Sequence, residues 1–500
     1  MSVEWSRVRR NVLRWVADTG RTLDEAVNED RIRLAVTGLS RAGKTVFITS
    51  LIQNLLALGA GRNTLPRLAA RLAVDSGSRL VGVRVLPAGA SAVPYFDHAA
   101  KLAALAGEHP VWPQRTGDLA QVSLELVVNR KSVVGRPLGD RRVRLDILDY
   151  PGEWLLDLPL LEQSFAEWSA QTLDLLRQPP RCEVAASFLG FVGTLRPGDR
   201  ADEGVARRGH DHYRAALEAC RTRLGLRYLQ PGRFLCPGPR DDVLPFMRFF
   251  PIQVPSGASP SQGTLAGLLE ECFEEYKRDM RANFFDQHFC AFDRQVMLVD
   301  VLGALYAGKT AFDDTARAIH EIEKALCYGR SPGVIRMVTD FVRTATFGQA
   351  NGSSARAQAA RHIERVAIVA TMADHVPALR RDNLRNLVRS LAEPAHAHQA
   401  GAGAAVSYHV AASLRSTEDG TAKLDGQTVQ VVRGIRLGEE KVRSFYVGEV
   451  PVCRPPADFW AEAFLEVPQF KPPSIAPTGR DGMPHLGLDA ILDDLIGDLL

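Results

Sequence analysis

No stretch of this 500-residue chain approaches the roughly 18 consecutive apolar residues that a membrane-spanning helix needs. Cysteine is scarce: seven residues, an odd number, widely scattered and without a C-x-x-C pair. That pattern argues against a disulfide frame or a zinc site and reads as reduced thiols in a cytosol. Charge of one sign is not in excess either. With 61 Lys plus Arg against 58 Asp plus Glu, the formal net charge is +3, so composition implies no cationic face and no nucleic-acid partner. The opening "MSVEWSRVRRNVLRWVADTG" carries charges every few positions and no apolar core, and is read as no secretion leader. The expected location is cytoplasmic, with a peripheral position at the inner face of the membrane as the alternative.

What the chain does have is length and order. Its 500 residues exceed what one hydrophobic core usually serves, so two or three structural units are expected. Trp5, Val8, Val12 and Trp15 recur at helical spacing and predict an N-terminal helix over residues 1–30. "RIRLAV" reads as a strand, "TVFITSLIQNLLALG" as a helix, and residues 61–115 as less regular, with one helix near "YFDHAAKLAALAG". "LAQVSLELVVN" and "RRVRLDILDY" alternate like two strands. Residues 154–290 turn helical and are punctuated by Pro and Gly, as an insertion would be. "RQVMLVDVLGAL" and "RVAIVATMADHV" are near-continuous apolar runs, the signature of strands buried on both faces of a parallel sheet, and "VSYHVAASL" is a further strand. "AEPAHAHQAGAGAAV" is expected to be a loop, and "LGLDAILDDLIGDLL" a terminal helix docking on its own chain.

Two stretches fit the phosphate-loop pattern G-x-x-x-x-G-K-[ST], "GLSRAGKT" at 38–45 and "GALYAGKT" at 303–310. Such a loop works because successive backbone N–H groups and a helix N-terminus converge on phosphate oxygens. In the first match Ser40, Arg41, Ala42 and Gly43 would line the anion and Lys44 would reach the β and γ phosphates. Thr45 would ligate Mg²⁺, and Val46 would follow in the first turn. In the second, Asp313 and Asp314 would lie beside the phosphates, where like charge is costly. The first match is therefore assigned to the nucleotide.

The order of elements downstream supports that choice. Thr116 precedes the strand pair, Asp149-x-x-Gly152 ends it, Thr371-Met372-Ala373-Asp374 ends a buried strand, and Ala412-Ser413-Leu414 ends another. This resembles the switch threonine, the D-x-x-G switch, the base-reading element and the S-A-[KL]-like element of Ras-type GTPases. Asp149 and Thr116 would hold Mg²⁺, and the Gly152 amide the γ-phosphate. Asp374 would accept from N1–H and the exocyclic amine of guanine, which adenine cannot match. Thr371 and Met372 would flank the base with Ser413 and Leu414; Met372 stands where the usual pattern has Lys. Trp112, four residues before Thr116, is a further candidate for contact with the nucleotide. Glu153 takes the place of a water-orienting Gln, so slow turnover is expected, with Lys44, Thr116 and Glu153 as catalytic candidates.

"LAVTGLSRAGKTVF", "LDILDYPGEWLLDLPLL", "QPGRFLCPG", "FDRQVMLVDVLGAL", "ATMADHV" and "MPHLGLDAILDDLIGDLL" together resemble the YcjX family of bacterial stress-associated P-loop GTPases, over nearly the whole chain. The resemblance implies a Ras-like α/β core with a mixed, mostly parallel sheet, a large α-helical insertion, GTP/GDP and Mg²⁺ binding, and a link to envelope stress. It also implies an unidentified protein effector, a membrane protein being one candidate. The organisation expected is a G domain in two parts, 31–153 and 291–420, interrupted by the helical insertion at 154–290 and followed by a β-rich extension with a terminal helix at 421–500. An ATPase or phosphotransferase, and a nucleotide-stabilised membrane-stress adaptor without significant turnover, remain as alternatives.

Overall fold

The computed structural model describes residues 29–75, 77–88, 93–113, 119–129, 140–238, 244–255, 260–285, 292–327, 363–396, 404–462, 465–476 and 481–500. The predicted N-terminal helix and Thr116 lie outside them.

Strand β1 (Glu29–Gly38) leads through a loop into helix α1 (Lys44–Gly59). Next come α2 (Pro66–Asp75), β2 (Arg79–Val85), α3 (His98–Ala106), β3 (Ala120–Asn129) and β4 (Arg141–Asp149). A 3₁₀ helix over Gly152–Glu162 follows, then α4 (Phe165–Leu176), α5 (Ala186–Gly193), α6 (Glu203–Arg223) and α7 (Leu265–Met280), leaving aside four-residue turns. The chain returns to the sheet with β5 (Arg294–Val299), α8 (Val301–Tyr306), α9 (Lys309–Cys327), β6 (Arg365–Ala370), α10 (Arg381–His396) and β7 (Ala405–Val410). Strands β8 (Thr417–Leu424), β9 (Gln427–Ile435) and β10 (Val442–Phe445) precede the terminal helix α11 (Leu488–Ile496).

Seven strands form one sheet in the order β2-β3-β4-β1-β5-β6-β7. β1 is parallel to both β4 and β5, and β6 and β7 continue in parallel, while β2 and β3 run antiparallel at the other end. This is the mixed, mostly parallel sheet of a Ras-like P-loop core. The central strand β5 is buried at every position, because helices cover both faces. Between β4 and β5 the helical segment builds its own core, in which Trp168 packs on Phe249 and Phe273 and Phe188 on Tyr213. β8, β9 and β10 form a separate antiparallel sheet.

The terminal helix docks on its own chain. Leu488, Ile491, Leu492 and Leu495 enter the core formed by β1 and α1. The buried guanidinium of Arg294 accepts its place there by donating to the Leu495 carbonyl, 2.8 Å away, near the negative end of that helix.

Residues 61–115 hold more regular structure than the one helix expected. Helix α2 has no local N-cap: Asp489, from the far end of the chain, accepts from the Arg67 and Leu68 amides at 2.8 and 3.2 Å. Strand β2 has a register break between Leu80 and Gly82 that disrupts its alternation. "RQVMLVDVLGAL" is a strand followed by a helix, because Asp300 caps α8 by accepting from the Gly303 amide at 2.7 Å. The start of the predicted loop "AEPAHAHQAGAGAAV" belongs to α10, which runs to His396.

Candidate nucleotide-binding site

The loop at 38–45 leaves the C-terminal end of β1, where it can be held on both sides by neighbouring strands. Gly38 fits tightly against β5: a Cβ placed on it would lie 2.7 Å from the Leu298 carbonyl oxygen. The chain turns with Arg41 at φ 71° and Gly43 at φ 80°, left-handed conformations that glycine adopts without penalty. Ala42 closes the turn by donating to the Leu39 carbonyl at 3.1 Å. Gly43 is exposed, with nothing within 4 Å of where a Cβ would be, and begins α1, whose first turn carries no acidic residue. The Lys44 ammonium folds back over the loop to 3.4 Å from the Gly38 carbonyl. Ser40, Thr45 and Val46 are half-buried around it. Helix dipole, open main chain and an ammonium thus share one place, the arrangement that binds phosphate.

The second matching stretch takes another shape. Gly303 lies inside α8, and Lys309 opens α9 paired with Asp313 at 2.7 Å. Asp313 and Asp314 fall one turn beyond the helix start expected for them, and Asp314 is held by Arg181 and the Arg227 and Tyr228 amides. Only Ala307 and Gly308 separate α8 from α9, in place of the longer loop that cradles an anion.

Asp149 ends β4 in register with Val36 of β1 and is buried. Three residues later, Gly152 packs on the phosphate loop: a Cβ built on it would lie 2.7 Å from the carbonyl carbon of Gly38 and 3.1 Å from the Leu39 nitrogen. Only glycine tolerates that approach. Tyr150, fully buried between Phe284 and Phe292, anchors the segment by accepting from the Gln295 amide at 2.8 Å. Glu153 is buried, and Gly232 packs on its carbonyl so closely that a Cβ on Gly232 would lie 2.1 Å away. Asp157 fixes the same junction by accepting from the Gly232 and Arg233 amides at 2.7 and 3.2 Å and from the Tyr276 hydroxyl at 2.6 Å. Burial pushes its carboxyl up to about 6 against those hydrogen bonds.

At the other end of the site, the 371–374 and 411–417 segments are stitched together. Ala373 donates to the Ala411 carbonyl at 3.0 Å, and the Ser416 amide donates to the Asp374 carboxylate at 2.7 Å. Thr371 hydrogen-bonds the Val299 carbonyl, and Met372 adopts φ 58° beside it. Asp374 is buried, so its carboxylate is partly committed to its own chain. Leu414, Val46 and Trp112 meet in one apolar cluster with Leu105 and Met483, and half-buried Ser413 precedes it. The Trp112 indole donates to the Phe470 carbonyl at 2.8 Å. Burial raises the Asp300 carboxyl, and the Gly303 amide, then Arg227, His375 and Arg41, act against that rise.

The donor set suits a hard cation. Thr45 offers a hydroxyl and Asp149 a carboxylate, the oxygen ligands Mg²⁺ takes alongside phosphate. Gly38, Gly43 and Gly152 supply a cradle that side chains would fill.

The sequence model of the YcjX-like family, DUF463, matches residues 32–500. The chain belongs to that family. Two similar proteins each bear the name Ras-like GTPase YcjX. The one from Escherichia coli K12 is 33% identical over 480 residues, which covers 94% of this chain and 96% of its own. The one from Shewanella oneidensis MR-1 is 30% identical over 488 residues, covering 94% of each. Among the described residues no helix is long and apolar enough to cross a membrane.

Sequence reasoning missed Gly232, Arg233 and Asp157 as parts of the site's support. "QPGRFLCPG" and "DYPGEWLLDLP" lie far apart in sequence, and nothing local in either reveals that one packs on the other.

Proposed function

We propose that this member of the YcjX-like family binds GTP with Mg²⁺, hydrolyses it slowly to GDP, and acts as a nucleotide-dependent switch in a bacterial stress response. The observation that carries this reading is the contact of Gly152 with Gly38. It sets the D-x-x-G segment against the loop where a γ-phosphate would lie, so presence of that phosphate can be felt by the segment. The amides of residues 40–45 bind the phosphates, and Lys44 balances their charge. Thr45, Asp149 and Thr116 hold the cation. A bound Mg²⁺ offsets the negative charge that builds on the β and γ oxygens during transfer. The Gly152 amide orients the γ-phosphate. Glu153 accepts a hydrogen bond from the attacking water, but its own charge opposes the phosphate, hence slow turnover. Asp374, Thr371, Met372, Ser413, Leu414, Val46 and Trp112 surround the base.

Loss of the γ-phosphate would free Gly152–Glu162 and pass the change through Gly232 to the helical insertion and on to an effector protein. This reading uses the division into 1–30, 31–153, 154–290, 291–420 and 421–500. A cytoplasmic location, or one at the inner face of the membrane, suits it. Titration with mant-GTP and mant-ATP in Mg²⁺ tests it: tight mant-GTP binding lost in Lys44→Ala is expected. Equal or tighter mant-ATP binding would overturn the guanine assignment. A second reading, loose base specificity, draws on the engagement of the Asp374 carboxylate by the Ser416 amide, and the same titration separates the two.

A further inference from the structure

The helical insertion contains a cavity of about 300 Å³ with an unusual charge lining. Arg207, His210 and Arg214 lie along one face of α6, spaced three and four residues apart, and Arg233 and Arg248 complete the wall. Among the described residues that line it, Asp211 is the one carboxylate. Arg207, Arg214 and Arg248 thus line, together with Asp211, a volume at the lower end of the small-molecule range, about 300 to 1,000 Å³. Arg233 is already balanced by Asp279 at 2.8 Å, and its guanidinium lies over the Tyr276 and Trp154 rings at 5.4 and 5.9 Å. Burial holds His210 below its usual range, the neighbouring Asp211 carboxylate, 3.4 Å from its Nδ1, works against that, and the Arg214 and Arg248 cations add to the lowering, so both arginines lie within electrostatic reach of it.

We propose that this cavity binds a phosphate group, carried either by a small phosphorylated solute or by an anionic lipid head. Like charges gathered in a partly enclosed space repel, and an anion entering it relieves that repulsion. Guanidinium is the side chain suited to the anion, because its fork of donors meets two phosphate oxygens at once. The size admits a phosphate or diphosphate with few further atoms. Arg233, which lines the cavity, also lies over the ring of Trp154, two residues beyond Gly152, and so links the cavity to the segment that touches the phosphate loop. The chemistry of the cavity does not depend on what the phosphate loop holds.

The test uses the full chain saturated with GDP and Mg²⁺, so that the phosphate loop is filled. Calorimetric titration with pyrophosphate forms one arm, and co-sedimentation with phosphatidylglycerol vesicles, against neutral phosphatidylcholine vesicles, the other. Binding in the first arm that weakens at least about tenfold in Arg207→Ala/Arg248→Ala and survives in Lys44→Ala supports a soluble source. Phosphatidylglycerol-dependent binding with the same arginine dependence supports a lipid source. Arg207 is exposed, so the single Arg207→Ala variant keeps the fold and should show a smaller loss of the same kind. Binding in neither arm, affinity indifferent to these arginines, or pyrophosphate binding lost in Lys44→Ala alone would each overturn the proposal.

Discussion

Gly152 and Gly38 touch backbone to backbone, so closely that the smallest added side chain on Gly152 would fall 2.7 Å from the Gly38 carbonyl carbon. The relationship couples the end of β4 to the phosphate loop, and any substitution there must push the two apart. Gly152→Ala is expected to cost about 1–3 kcal/mol of stability as overpacking. Its effect on nucleotide should be selective. Affinity for a non-hydrolysable GTP analogue should fall at least about tenfold while GDP affinity changes little, since GDP has no γ-phosphate to meet the displaced amide. Parallel titrations of the two nucleotides read this directly, and an equal loss for both would count against the contact as a γ-phosphate sensor.

Asp489 caps helix α2 from the opposite end of the chain, accepting from the Arg67 and Leu68 amides. Removing that acceptor leaves two first-turn amides without a side-chain partner, so Asp489→Ala should cost about 0.5–2 kcal/mol. Leu492→Ala, which empties a fully buried position in the same helix, should cost about 2–5 kcal/mol. Urea unfolding measures both. If Asp489→Ala is silent, α2 does not depend on the terminal helix.

β1, β5 and β6 were legible in the sequence because central parallel strands are apolar on both faces, and the loop at 38–45 because its glycines and lysine keep fixed spacing. Helix α2 was not, because its cap is supplied by Asp489, remote in sequence. β2 was hidden by the register break at Gly82. The run ending in "DVLGAL" looked like one strand because only the geometry shows Asp300 turning back to cap α8. In the site, Val46, Trp112 and Leu414, remote from one another in sequence, meet in one apolar cluster. Gly232 carries no signal of its partner, since its role exists only through the Glu153 carbonyl it packs against.

Asp374 has two claims on its carboxylate. The Ser416 amide donates to it at 2.7 Å, while the proposed function asks it to read guanine. Two substitutions separate the claims. Asp374→Asn keeps an oxygen that can accept from Ser416 and loses the charge, so its unfolding midpoint should move little while mant-GTP affinity falls about tenfold or more. Asp374→Ala also strands the Ser416 amide, adding a loss of about 1–3 kcal/mol in stability. Should Asp374→Asn bind mant-GTP as wild type does, the residue is a structural brace and guanine is read elsewhere.

Glu323 is buried in α9, and burial alone pushes its carboxyl up to about 8 from an ordinary 4.5. Between those values the folded chain holds a proton that the unfolded chain releases. Stability therefore falls as pH rises from about 4.5 to about 8 and levels off above, because the folded state must then ionise a group it cannot solvate. Glu323→Gln stays neutral across the range and lacks this slope. Near pH 4 the variant and wild type should unfold alike. At pH 8.5 the variant should be the more stable, by a margin that grows steadily in between, as read from urea midpoints at each pH. Parallel curves for the two proteins would mean that Glu323 reaches solvent or a cation and is ionised in the folded state throughout.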